Sequence, residues 1–375
     1  MSNIVFPDYS HSLLNLTNSI LKYYGVKIEY SSLSQIDKIL EEGKYKNVVF
    51  YLVDAMGSAI LKKHPKESKF LLNKNTDDLT TVFPSTTVAA TTTAITGLPP
   101  AHTAWIGWQQ YVKEEDKNVI FFLNQDYYNE DYKFNYNVAE KFAKITKIYE
   151  RIEKQNPNIL THEIFPEFRV KEHKTILNQV ETVLKTIQNG RRNFIYAYWD
   201  KLDTYLHEYG TTSDIVKNHL DEINQAFIKL NDNLPDDTIV IVTADHGQID
   251  IEGINLWEYT DLTSLLKNQP SIEARATAFY VKEDKKDKFE DIFNKHFKDK
   301  FVLYKSNELI ETGIFGKGKK SPRTQGFLGD FFAIAIDKYS FRLQNAGHVH
   351  KATHAGLLKD EMMIPLILLS KKLSN

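Results

Sequence analysis

Four stretches of this 375-residue chain carry side chains whose types and spacing can do chemistry. In residues 80–108, TTVFPSTTVAATTTAITGLPPAHTAWIGW, the hydroxyls Ser85, Thr86 and Thr87 follow Pro84. They precede a predicted helix that starts near Thr87 and stops before Gly97, with Pro99 and Pro100 just beyond. A hydroxyl at a helix start faces unpaired backbone N–H groups and the positive end of the helix dipole, which suits an anionic phosphate. An N-cap threonine with no further role fits the same residues. In residues 203–210, DTYLHEYG, Asp203 and His207 stand four apart. On a helix they share a face and can share a metal ion, or can simply be an exposed pair. Residues 244–247, ADHG, set Asp245 and His246 side by side in a tight turn; an irregular strand end can aim both at one ion, and an ordinary loop reads the same way. In residues 352–356, ATHAG, His354 sits between small residues ahead of an apolar run, while His348 and His350 read as loop histidines. His11, His64, His102, His162, His173, His219 and His296 stand apart from acidic partners and are expected at surface or helix positions.

Such scattered side chains need elements that bring them together. Residues 47–53 (NVVFYLV), 194–199 (FIYAYW) and 238–243 (TIVIVT) have the continuous apolar character of strands buried on both faces. Each is followed by acidic or imidazole residues: Asp54; Asp200 and Asp203; Asp245 and His246. Helix-period stretches lie between them, as in residues 213–230, where Ser213 suits an N-cap and Ile215, Ile223, Phe227 and Leu230 are expected on one face. Strands alternating with helices predict an α/β fold with a mostly parallel, doubly wound sheet, whose ligands collect at the carboxyl ends of the strands. Later strand candidates are 276–281, 331–336 and 364–369. The chain reads as one domain with cap-like insertions at about 108–172 and 282–323, the second holding a basic GKGKK segment expected as a solvated loop.

Composition narrows the function. Lys plus Arg is 47 against Asp plus Glu 49, a formal charge of -2, so no basic field favours nucleic acid or anionic lipid as a partner. Hydrophobic residues at 42% are enough to order the chain. Cysteine is absent, which excludes disulfides, thiolate nucleophiles and cysteine-held clusters, so a metal must be held by oxygen and nitrogen. No run approaches the roughly 18 apolar residues of a membrane span, and the first residues lack a signal-peptide pattern. The expectation is a cytoplasmic, soluble protein with no membrane partner.

Taken in order, the motifs resemble the alkaline phosphatase superfamily: strand then Asp, hydroxyl at a helix start, strand then DxxxH, strand then DH, and a late lone His. More narrowly, the chain resembles the type I phosphodiesterase and nucleotide pyrophosphatase branch, from about Asn47 to Leu369. The resemblance implies an alkaline phosphatase-like fold and two divalent ions, most often zinc, with manganese an alternative. It assigns Asp203, His207 and His354 to one ion, and Asp54, Asp245, His246 and the Thr87 hydroxyl to the other. Thr87 also matches the family nucleophile, three residues after Pro84 and nine before Thr96 and Gly97, with Thr86 and Ser85 less favoured. The implied activity is hydrolysis of small-molecule phosphodiesters or pyrophosphates through a phosphothreonine on Thr87. A phosphomonoesterase, a catalytically silent metal-binding protein and a mutase are the alternatives. The chain departs from the nucleotide pyrophosphatases at Trp108, where they carry an Asn that contacts the phosphoryl group. It departs again at Val88, where an aromatic residue helps stack a base, so a nucleotide preference does not follow. Trp105, Trp108 and Tyr111 are expected to form insertion core or an aromatic wall.

Overall fold

The three apolar runs followed by acidic residues become the strands Asn47–Val53, Arg192–Trp199 and Thr238–Thr243, nearly all of whose residues are buried. This computed structural model describes residues 3–344 and 349–373. The three strands lie at the heart of a six-stranded sheet. Its order is Asn75–Thr80, Met363–Leu369, Thr238–Thr243, Asn47–Val53, Arg192–Trp199, Ile159–Ile164. Asn47–Val53 runs parallel to both neighbours and in step with them: Asn47 lies opposite Asn193 and Thr238, Leu52 opposite Tyr198 and Thr243. This parallel, in-step register makes Asp54, Asp200 and Asp245 leave the sheet at one edge. Met363–Leu369 runs antiparallel to both of its neighbours, so it begins at that same edge and brings the preceding His354 loop there. The expected mostly parallel sheet flanked by helices is therefore present.

Helix Asp214–Asp232 starts where Ser213 caps it, the serine hydroxyl accepting from the Val216 N–H. Its buried face runs through Val216, Leu220, Ile223, Phe227 and Leu230, whereas Ile215, expected on that face, is exposed. The 100° step per residue explains the correction: Val216, not Ile215, is seven residues before Ile223.

The strands expected at 276–281 and 331–336 form outside the central sheet. Ala276–Val281 and Phe331–Ala335 sit in a four-stranded antiparallel sheet with Leu266–Ile272 and Phe301–Lys305. Residues 282–323, expected as a cap, supply an edge strand of that sheet and helix Lys286–Phe297, whose Phe289, Phe293 and Phe297 pack into it. Lys317, Gly318 and Lys319 are exposed, as a solvated loop requires. Within 108–172, a three-stranded sheet forms from Gln110–Val112, Lys117–Ile120 and Gln125–Asp126. Ile159–Ile164 instead pairs with Arg192–Trp199 as an edge strand of the core, so the separate elaboration ends before helix Ile148–Gln155. The polar run Thr161, His162 and Glu163 inside ILTHEI hid this edge strand, whose middle is only partly buried.

Candidate metal centre

Asp54 is buried at the end of its strand. Its Oδ2 accepts a hydrogen bond from the Tyr198 hydroxyl, while Oδ1 has no hydrogen-bond partner and lies 3.4 Å from His246 Nε2. Asp245 is arranged alike. Its Oδ1 accepts from the backbone N–H of Ala55 at 3.0 Å and of His246 at 2.9 Å, and its unpartnered Oδ2 lies 3.6 Å from His246 Nε2. Close approach of two turns makes this possible: a Cβ on Gly247 would lie 2.0 Å from the Asp360 carbonyl oxygen, and one on Gly57 would lie 2.5 Å from the Gly247 Cα.

Asp203 and His207 occupy one face of helix Lys201–Tyr209, with His207 Nε2 3.4 Å from Asp203 Oδ2. His354 Nε2 lies 3.9 Å from Asp203 Oδ1, and the His354 ring stacks on His246 with centroids 3.9 Å apart. All three imidazoles are held through Nδ1 by a backbone carbonyl: His207 by Ala352 at 2.8 Å, His354 by Ser85 at 3.1 Å, His246 by Gly247 at 3.1 Å. A carbonyl only accepts, so Nδ1 carries the hydrogen, and a neutral ring is left with its Nε2 lone pair facing the cluster.

Two groups of donor atoms, each within 4.8 Å of one another, result: Asp54 with Asp245 and His246, and Asp203 with His246 and His354. The resemblance assigns His207, not His246, to the second group. In the structure His207 joins through Asp203, and His246 stands between the two groups.

The electrostatics explain why such a cluster calls for cations. Burial, and then the charges of Asp245 and Asp203, push the Asp54 carboxyl well above the ordinary carboxylate range. Burial raises Asp245 as well. Burial also pushes on Asp203, yet the adjacent His207, with His354 and His246, holds it below that range. Burial drives the His354 imidazole well down, helped by the His246 charge. Two buried carboxylate oxygens without partners are costly unless a cation joins them. Together with three Nε2 lone pairs and no sulfur, they fit a divalent ion of the zinc or manganese kind.

Helix Thr87–Thr96 ends at Gly97, whose φ of 69° closes it in the left-handed region. The Thr87 hydroxyl lies 3.1 Å from His246 Nε2. Its two neighbours are engaged elsewhere: Ser85 donates to the Gly356 carbonyl at 2.7 Å and Thr86 to Glu273 Oε1 at 2.5 Å.

Several side chains at the site had no clear signal in the sequence. Tyr198 is the penultimate residue of its strand, and Gln248, two residues after His246, donates through Nε2 to Asp203. Glu273 follows Ile272 in a hairpin; it accepts from Thr86 and, at 2.7 Å, from the Trp108 N–H, and burial raises its carboxyl to about 7. His350, taken as a loop histidine, has its ring 4.4 Å from that of His207; His348 lies outside the described residues. Positive φ marks three non-glycine residues beside site residues: Ala55 (58°), Ile272 (78°) and Ala355 (91°). Such strain clusters where surrounding structure fixes a functional geometry.

Other histidines depart from expectation. His11, His219 and His296 each pair with an acid, Asp77, Glu222 and Asp261, at 2.8–2.9 Å. His173 is buried outside any helix between the Phe165 carbonyl and Thr182. Trp105 and Tyr111 pack as insertion core, against Phe121 and Tyr280, while Trp108 is 36% exposed. Among the described residues no helix is long and apolar enough to cross a membrane.

Solved structures share this architecture. Murine ectonucleotide pyrophosphatase/phosphodiesterase 5, in an inactive form in complex with AMP, superposes with a TM-score of 0.65 at 18% identity, covering 85% of this chain and 87% of its own. The human protein of that name gives 0.64 at 17%, covering 86% and 88%. Phosphonoacetate hydrolase from Sinorhizobium meliloti, in complex with phosphonoformate, gives 0.63 at 13%, covering 86% and 89%. The model of one family, type I phosphodiesterase / nucleotide pyrophosphatase, matches residues 48–356, which take in every candidate ligand from Asp54 to His354, and the chain belongs to that family.

Proposed function

We propose that the protein is a two-metal phosphodiesterase that hydrolyses phosphodiester or pyrophosphate bonds of small molecules through a phosphothreonine on Thr87. Family membership supports phosphoester hydrolysis. The observation that carries the finer reading is the convergence of Asp54, Asp203, Asp245, His207, His246 and His354 at one sheet edge, with the Thr87 hydroxyl directed at the same imidazole as two unpartnered carboxylate oxygens.

Asp54, Asp245, His246 and Thr87 would hold one ion and Asp203, His207 and His354 the other, the mixed oxygen and nitrogen donors favouring zinc. When bound, such ions acidify a hydroxyl and neutralise charge on phosphoryl oxygens. The protein supplies the rest. Backbone carbonyls fix the three imidazoles, and the start of helix Thr87–Thr96 offers N–H groups and a positive dipole end to the anionic phosphoryl group. Thr87 Oγ1 forms a bond to phosphorus as the bond to the leaving oxygen breaks, and water then opens the phosphothreonine.

The test is Thr87→Ala, with bis-p-nitrophenyl phosphate as substrate and elemental analysis of the same samples. Turnover should fall by at least about 10³-fold while the metal content matches the wild type. Retained turnover in Thr87→Ala would refute the assigned nucleophile, and a wild type inactive with zinc or manganese would make the chain a silent metal-binding protein.

A further inference from the structure

The turn that carries Thr87 is bounded on its other side by an acid. Glu273 lies in the hairpin joining Leu266–Ile272 to Ala276–Val281, directly after Ile272, a β-branched residue at a φ of 78°. A β-branched residue in that region is a true outlier, so the surrounding structure holds this hairpin against its own preference. Two bonds converge on Glu273 Oε1, from the Thr86 hydroxyl at 2.5 Å and from the Trp108 N–H at 2.7 Å. The carboxyl is half-buried and close enough to the metal cluster to feel the charges of His207 and Asp203.

Holding the turn does not require a carboxylate, since a neutral amide oxygen accepts the same two bonds. What the carboxylate adds is negative charge one residue from Thr87, where a phosphoryl group must sit. A phosphodiester brings one negative charge to that place; a phosphate monoester, whose second pKa is about 6, brings nearly two at neutral pH and above. Like charges in a partly desolvated site repel strongly, and discrimination between ligands is often built from such repulsion. Resting on the phosphodiesterase reading above, we propose that Glu273 is a specificity-determining residue that turns dianionic phosphate monoesters away and leaves monoanionic diesters as substrates.

The experiment uses the full chain loaded with zinc at pH 8.5, comparing kcat/KM for bis-p-nitrophenyl phosphate and p-nitrophenyl phosphate, and inhibition by inorganic phosphate. Glu273→Gln keeps an oxygen for Thr86 and Trp108 and removes the charge. It should shift the ratio of the two kcat/KM values toward the monoester by about tenfold and tighten phosphate inhibition to a similar degree. Glu273→Asp keeps the charge and should keep the wild-type ratio. An active Glu273→Gln with an unchanged ratio, or a Glu273→Asp that shifts it equally, overturns the proposal. A wild type that turns over neither ester overturns the phosphodiesterase reading and the filter with it, a result distinct from an active enzyme indifferent to residue 273.

Discussion

The edge of the central sheet and the four-stranded antiparallel sheet treat their interiors in opposite ways. At the edge, three carboxylates gather within reach of three imidazoles, and Asp54 and Asp245 each bury an oxygen that no hydrogen bond satisfies. Under the antiparallel sheet the space is filled by phenylalanine: Phe293 packs against Phe279, Phe289, Phe297 and Phe341 with ring centroids 5.2–6.3 Å apart. The first region stores electrostatic repulsion that only a ligand relieves; the second supplies packing that offsets it. Stability and chemistry are thus concentrated in different places, although the other face of the antiparallel sheet packs, through Ile272, Ala276 and Phe332, in one cluster with Phe83, Val88 and Ala355 beside the site.

The most consequential contact is the buried pair Arg275–Glu361. Neither side chain is exposed; Arg275 Nε and Nη2 meet the two Glu361 oxygens at 2.8 and 2.7 Å, and Nη1 donates to the carbonyls of Asp337 and Tyr339. Glu361 also accepts from the Gly356 N–H at 2.8 Å, and the Gly356 carbonyl accepts from Ser85. The pair therefore ties the antiparallel sheet to both the His354 loop and the nucleophile turn. Arg275→Ala strands the buried Glu361 carboxylate and should lower stability by about 4 kcal/mol in urea denaturation. It should also weaken zinc binding, measured by chelator competition, because the His354 loop loses its anchor. Unchanged zinc affinity in a destabilised Arg275→Ala would show that the two regions are joined for folding only.

Phe293→Ala tests the other side. Removing a fully buried ring from the phenylalanine cluster should cost about 3 kcal/mol on the same urea scale. Here kcat/KM and bound metal should match the wild type, since nothing links Phe293 to the cluster of carboxylates and imidazoles except the sheet itself. Altered metal content in Phe293→Ala would erase the division between the two regions.

This division also explains what was legible in the chain. Strands Asn47–Val53 and Thr238–Thr243 were readable to the residue, because burial on both faces demands an unbroken apolar run with a polar residue at its end. Part of the candidate cluster was readable for the same reason, since Asp54 and Asp245 follow those strands and Asp203 and His207 share a helical face, while the role proposed for them came from the resemblance. Where strands 276–281 and 331–336 would pair was not readable, since apolar runs state burial and not partners. Glu273 and the Arg275–Glu361 pair gave no signal either, because their partners lie 86 to 187 positions away in the chain. The Ile159–Ile164 strand was lost through its half-polar pattern.

The smallest effect is the one that most directly probes the repulsion stored at the sheet edge. Asp54 has one oxygen on Tyr198 and one with no partner, among neighbouring charges of the same sign. In Asp54→Asn an amide oxygen still accepts from Tyr198, while the charge that burial and Asp245 oppose is gone. The metal-free variant should therefore be more stable than the metal-free wild type by about 1 kcal/mol, seen as a rise of about 1–2 °C in Tm in the presence of a chelator. Adding zinc should reverse the order, because the wild type gains stability from the ion in proportion to its affinity and the variant has lost a ligand. A metal-free Asp54→Asn that melts below the metal-free wild type would mean that the edge is held together by its own hydrogen bonds, and that the contrast with the aromatic sheet is one of composition alone.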